Sequence, residues 1–186
     1  MRVGNLNQLI FVAVSALLIG ANADDARMLF GTATVAAKAP APVVRISEFH
    51  YDNTSTDTGE AIEISGPAGT SLTGWRIVLY NGANGLFYDS KTLSGTIPAT
   101  CGTRGVVVQE YPSNGIQNGA PDAIALVDAS GALVEFLSYE GAFSALDGPA
   151  SGLASINIGV SESESTAVGH SIQRTPTDTW NAPAPN

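Results

Sequence analysis

Glu60-Ala61-Ile62-Glu63-Ile64 is the segment on which the fold turns. Ile62 and Ile64 fall on one parity and Glu63 on the other. Side chains alternate between two faces only in a strand, whereas a helix places its apolar residues three and four apart. The segment therefore predicts a half-buried strand. Further along, Trp75, Ile77 and Leu79 share a parity while Arg76 takes the opposite one, and Ile124 and Leu126 repeat the scheme between Asp122 and Asp128. Residues 43–51, 104–110 and 132–139 are apolar on both parities, which predicts strands covered, at least partly, on both faces. Beyond residue 42 no segment sustains the helical spacing through three turns.

Turn chemistry separates these runs. Asn-Gly occurs at Asn81-Gly82, Asn84-Gly85, Asn114-Gly115 and Asn118-Gly119, and such pairs adopt positive φ at little cost. Asp128-Ala129-Ser130-Gly131 reads as a tight hairpin loop. Short strands at this spacing must bury their apolar faces against a second layer, so the predicted architecture is an all-β sandwich of about seven to nine strands.

The rest of the chain fits one such domain. It has 186 residues, of which 13% are charged and 44% hydrophobic, enough to bury a core. A net charge of -9 argues against capture of nucleic acid through its phosphates, which requires clustered Lys and Arg. The single Cys101 excludes an internal disulfide framework and a multi-thiolate zinc site; it reads as a buried small hydrophobe or a tolerated surface thiol. At the amino terminus Arg2 precedes an apolar run, residues 9–19, and then Ala21-Asn22-Ala23. That order matches a secretory signal peptide, and the run is shorter than the roughly 20 residues a membrane-spanning helix needs. Residues 1–23 are thus expected to be a signal peptide cleaved after Ala23, with no membrane span afterwards. Residues 24–42, rich in Ala with Pro40 and Pro42, are expected to be a linker, and residues 43–186 the domain. Ser161-Glu162-Ser163-Glu164-Ser165 reads as an exposed loop.

Several of these segments also carry a family likeness. Val44-Arg45-Ile46-Ser47-Glu48-Phe49-His50-Tyr51-Asp52-Asn53, followed by Gly59-Glu60-Ala61-Ile62-Glu63-Ile64, Leu72-Thr73-Gly74-Trp75 and Val78-Leu79-Tyr80-Asn81-Gly82, resembles the opening of a bacterial lamin-tail domain. The run from Gly115 to Asp122, then Ala125-Leu126-Val127-Asp128 and Phe136-Leu137-Ser138-Tyr139-Glu140-Gly141, continues the resemblance, and Gly169-His170-Ser171-Ile172-Gln173 with Trp180 resembles its closing elements. The resemblance implies an immunoglobulin-like β-sandwich and a non-catalytic module. Bacterial members of that family occur in secreted proteins, often joined to domains of the endonuclease/exonuclease/phosphatase type. Many members carry an aromatic residue where this chain has Ala61, so the core beside it is expected to be filled differently.

Chemistry-bearing residues are few. Glu48, Asp52, Asn53, Asp57, Glu60 and Glu63 form the richest oxygen cluster, and a hard cation such as calcium takes six to eight oxygens. Their spacing departs from the calcium-loop pattern, and Asp52-Asn53 and Asp57-Thr58-Gly59 read equally as solvated Asx-type turns. No metal is assigned from the sequence, and calcium at Asp52, Asp57 and Glu60 stays open. His50 and His170 are the two imidazoles; His170 shares parity with Val168 and Ile172 and reads as a packed histidine. No hydrolase motif is present. Glu135 and Glu140 could form a glycosidase pair only if the fold brought them together. Gly66-Pro67-Ala68-Gly69-Thr70 lacks the lysine and helix of a phosphate loop and reads as a strand connection. Tyr80, Phe87 and Tyr88 could stack bases, but no basic track accompanies them. Trp75 and Trp180 read as core and edge packing.

Two functions follow as expectations. The first is a secreted, non-catalytic binding or architectural module that contacts a protein, a glycan or a cell-envelope component, without catalytic residues, cofactor or metal. The second is an accessory or truncated domain of a secreted nuclease or phosphatase system.

Overall fold

The computed structural model describes residues 44–186. The expected signal peptide, the linker and residue 43 lie outside the described residues. Ten strands run in chain order: β1 Arg45–His50, β2 Ala61–Pro67, β3 Arg76–Asn81, β4 Leu86–Thr92, β5 Arg104–Glu110, β6 Asp122–Val127, β7 Leu133–Tyr139, β8 Ile156–Asn157, β9 His170–Gln173 and β10 Ala184–Pro185. They form two five-stranded sheets, ordered β10-β9-β1-β2-β5 and β4-β3-β6-β7-β8. All pairings are antiparallel except the two-residue pairing of β8 with β7. The helical content among the described residues is one 3-10 turn, Gly148–Ala150. The described residues are thus all-β and sandwich-like, as expected, with ten strands where about seven to nine are expected; β8 and β10, two residues each, are too short for alternation to reveal.

The main core lies between the sheets. Ile46, Phe49, Ile62, Ile64 and Ile172 of one sheet meet Ile77, Leu79, Ile124, Leu126 and Tyr139 of the other. In β2, Ile62 and Ile64 are fully buried while Ala61 and Glu63 are half-buried on the outer parity. Trp75 and Trp180 both pack on the core's margin, and Trp180 meets Phe49 edge-on with centroids 5.4 Å apart.

Two regions depart from their predicted exposure, for reasons outside their own sequence. β3 and β6 are not half-buried. All six residues of β6 are buried, because a second cluster covers the outer face of that sheet. There Val78, Tyr80, Ala123, Ala125, Val127 and Phe136 meet Phe143, Ala145 and Ala150 from the connection after β7. Ala123 and Ala125 read as the solvent parity because alanine is ambiguous, yet their small side chains let that connection lie close. Conversely, β5 is not covered on both faces. Among the described residues it is an edge strand that pairs with β2 alone, and Val108 stands 53% exposed.

Turns hold these strands in register. The hairpin loop between β6 and β7 forms as predicted: Asp128 Oδ1 accepts hydrogen bonds from Ser130 N, Ser130 Oγ and Ala132 N, and Gly131 takes φ 88°. At Asn81-Gly82 the glycine serves a close approach instead of a positive φ, since a Cβ on Gly82 would stand 2.0 Å from the Pro121 carbonyl oxygen. That approach draws the β3–β4 turn against the loop preceding β6.

Candidate functional site

Two regions concentrate polar chemistry or open surface. The first gathers loop residues around the end of β1. His50 closes β1, Asp52, Asn53 and Asp57 follow in the connection to β2, Asn114 and Asn118 come from the β5–β6 connection, and Glu162 comes from the β8–β9 connection. The solvated-turn reading of this loop does not hold: Asp52, Asn53, Asp57 and Glu60 are all buried. Nor is Ser161–Ser165 wholly exposed, since Glu162 within it is 2% exposed.

Glu162 explains why the loop can be buried. Its Oε2 accepts hydrogen bonds from Tyr51 N at 2.6 Å and Asp52 N at 2.9 Å, and its Oε1 lies 2.9 Å from His50 Nδ1. Tyr51 Oη in turn accepts from Glu162 N at 2.8 Å. One carboxylate thereby satisfies the backbone donors left where β1 ends. Asn53 Nδ2 donates to Thr58 O at 2.9 Å and lies 2.7 Å from His50 Nε2. With Asn53 as donor, the neutral His50 carries its proton on Nδ1 and gives it to Glu162. Burial opposes a charge on His50, but the hydrogen bond and negative charge of Glu162 outweigh it and hold the imidazole above its ordinary pKa.

Glu60 secures a second loop in the same way, its two carboxylate oxygens accepting from Gly115 N and Ile116 N, each at 2.8 Å. Burial raises its pKa, partly offset by those two bonds. Asp57 accepts from Asn53 N at 3.0 Å and from Asn118 Nδ2 at 3.2 Å. Asp52 is the exception. Its carboxyl interacts with Asp57 and Asn118, but Oδ1 is buried without a hydrogen-bond partner among the described residues. Burial first, and then the charge of Asp57, push its pKa up to about 6.

Not every residue of the predicted oxygen cluster belongs here. Glu48 and Glu63 sit opposite each other across β1 and β2, and each is bonded to a serine: Ser171 Oγ donates to Glu48 Oε1 at 2.7 Å, and Ser47 Oγ to Glu63 Oε1 at 2.6 Å. They line a separate cavity of about 110 Å³. Among the described residues no three His, Cys, Asp or Glu side chains converge as a metal-ligand group.

The second region is a groove of about 800 Å³ along β7. β8 pairs with Leu137 and Ser138, so Leu133–Phe136 has β6 on one side and, among the described residues, no strand on the other. Val134, Leu153, Ile156, Ile158 and Trp180 line the groove, with Ile156 67% exposed. Glu135 and Arg174 are its charged pair. Arg174 Nη1 donates to Glu135 Oε1 at 2.6 Å and to Ile46 O at 3.0 Å, while Glu135 Oε2 accepts from Ile46 N at 2.8 Å. The Arg174 guanidinium lies 5.5 Å from the Trp180 ring centroid.

The remaining predicted residues fall elsewhere. Glu140 accepts from Tyr51 Oη at 2.9 Å, so Glu135 and Glu140 occupy different surroundings. His170 is half-buried in β9. Tyr80 is fully buried in the second cluster and Tyr88 Oη accepts from Gln117 N, while Phe87 is exposed. Gly66–Thr70 ends β2 and turns toward β3. Cys101 is exposed. Sequence reasoning missed Glu162, Arg174, Asn114 and Asn118, because each gains its meaning from a loop that folds back over a distance of 50 residues or more.

Comparison with protein-family models, with curated proteins and with solved structures finds no match to this chain.

Proposed function

We propose that this chain is a secreted, non-catalytic binding module of lamin-tail type with an immunoglobulin-like sandwich, and that it takes an extended polypeptide into the groove beside β7. The observation that carries this reading is the open edge of Leu133–Phe136 next to apolar walls. An unpaired strand edge offers backbone donors and acceptors in register for an added strand, and apolar pockets beside it select alternate side chains. Glycan recognition depends on polar groups converging on a sugar, whereas the polar pair here, Glu135 and Arg174, spends its hydrogen bonds on each other and on Ile46. The order of the lamin-tail-like segments along the chain and the leader-like amino terminus support the family and the secreted location.

The test is selection from short displayed peptides, followed by hydrogen–deuterium exchange on the complex. Peptides with alternating apolar residues are expected to be enriched and to protect the amides of Leu133–Phe136. Ile156→Lys, at an exposed position, is expected to weaken binding about tenfold or more. Failure to enrich any sequence, or protection confined to another face, overturns the docking surface. Hydrolysis of DNA or of a phosphate ester by the purified protein above a boiled control overturns the non-catalytic reading.

A further inference from the structure

We propose that a second copy of this chain pairs with the outer edge of β5, joining two sandwiches through an antiparallel, two-fold strand pair. This surface belongs to the other sheet from the groove beside β7 and does not depend on it.

The backbone of β5 alternates in direction. Ala68 N donates to Thr103 O at 3.0 Å and Tyr111 N to Glu60 O at 2.9 Å, so odd-numbered residues turn their N–H and C=O toward β2. Even-numbered residues turn theirs outward. There Arg104 exchanges both backbone bonds with Cys101, at 2.8 and 3.0 Å. Val106, Val108 and Glu110 follow, and among the described residues none of their N–H groups has an acceptor. The Glu110 carbonyl is held by Gln109 Nε2 at 2.8 Å, an exposed bond that an incoming strand displaces.

Edge strands that stay single are blunted by charge or by cover. β4, the long edge of the other sheet, has both: Asp89 and Lys91 stand within it, and Asp147 Oδ1 takes the Phe87 N–H at 2.9 Å. β5 carries no charge between its two end residues. Val106 and Val108 share its outer face, while Val107 packs on the core.

The end charges select the partner. Arg104 opens β5 and Glu110 closes it, on the same face as those two valines. A parallel copy would set like charges side by side. An antiparallel copy centred on Val108 sets that valine against its own counterpart and Val106 opposite Glu110 of the second copy. Arg104 is then diagonal to the same carboxylate, within reach of a long side chain. Arginine has five donors, so this pair adds to the contacts Arg104 already makes. Symmetry repeats the arrangement and uses up both edges, which gives a closed dimer and no fibre.

The test is sedimentation velocity across a concentration series, on the protein as the cell processes it. Salt of about 150 mM, with a Debye length of about 8 Å, screens the repulsion between two acidic copies. One strand pair is a small interface, so a reversible equilibrium between one and two copies is expected in the micromolar to submillimolar range. Val108→Lys sets two cations opposite each other and is expected to weaken it about tenfold or more. Its melting temperature in dilute solution should stay unchanged, since Val108 is already exposed. Glu110→Arg is expected to weaken the dimer about threefold or more. Residue-resolved hydrogen exchange is expected to protect the amides of Val106, Val108 and Glu110 as concentration rises, with Val107 and Gln109 protected throughout. A single-copy mass at every concentration overturns the proposal. So does growth beyond two copies, or a dimer that Val108→Lys leaves intact. Should that variant fail to fold, the wild-type exchange decides: concentration-dependent protection confined to another face overturns the β5 pairing.

Discussion

Asp122 is a residue whose identity in the sequence gives no hint of its state. It opens β6, is 2% exposed, and accepts a hydrogen bond from Gly82 N at 3.0 Å. Burial outweighs that bond and holds its pKa up at about 6, against an ordinary 3.8. A carboxyl that keeps its proton more tightly when folded stabilises the fold fully below pH 3.8, and that contribution is lost as the pH rises through about 6. Denaturant unfolding of the wild type and of Asp122→Asn should therefore diverge with pH. Relative to the variant, the wild type is expected to lose up to about 2 kcal/mol between pH 4 and pH 7. A difference that stays constant across that range would show that Asp122 ionises as freely in the fold as in the unfolded chain. Glu162 makes the same point about legibility. In Ser161-Glu162-Ser163-Glu164-Ser165 nothing distinguishes the buried Glu162 from the exposed Glu164, because the distinction is made by the end of β1, more than a hundred residues away.

Elements were legible where their own residues decide their burial. β2 is fixed by Ile62 and Ile64, and the β6–β7 hairpin by Asp128 and Gly131. β6 was legible as a strand but not as a fully buried one, since its second face is covered by a connection with no strand period of its own. The small size of Ala125 is what that cover requires. Ala125 is fully buried and belongs to the outer cluster with Phe136, Tyr80 and Ala150. Tyr80 anchors the cover by donating from Oη to Asp147 O and accepting from Ala150 N, both at 3.1 Å. Ala125→Leu adds volume to a site closed on both faces and is expected to cost about 1–3 kcal/mol in thermal or urea unfolding. The same change on a half-buried strand, as the alternation alone suggests, would be nearly neutral, so the magnitude separates the two descriptions.

The sandwich as an assembly of two layers is tied across by side chains that also line the groove beside β7. Glu135 belongs to one sheet, while Ile46 and the segment after β9 that carries Arg174 belong with the other. Glu135 accepts from both of them, and Arg174 also holds the Ile46 carbonyl and lies against Trp180. This cross-sheet staple was invisible in the sequence because its members are separated by 39 residues or more. The side chains of both charged partners are only 12% exposed, so removing Arg174 leaves Glu135 buried and uncompensated, while removing Glu135 leaves Arg174 with only the exposed Asp178, 3.4 Å from its Nε. Glu135→Ala is expected to cost about 3 kcal/mol or more, since it also orphans the Ile46 N–H. Arg174→Ala is expected to cost a similar amount. In the double variant the uncompensated charge disappears, so its loss should fall short of the sum of the two single losses by about 1–3 kcal/mol. Additive losses in urea unfolding would mean that the two residues support the sheets separately. A clear shortfall, with peptide binding at Leu133–Phe136 weakened in all three variants, is what a staple that sets the width of the groove requires.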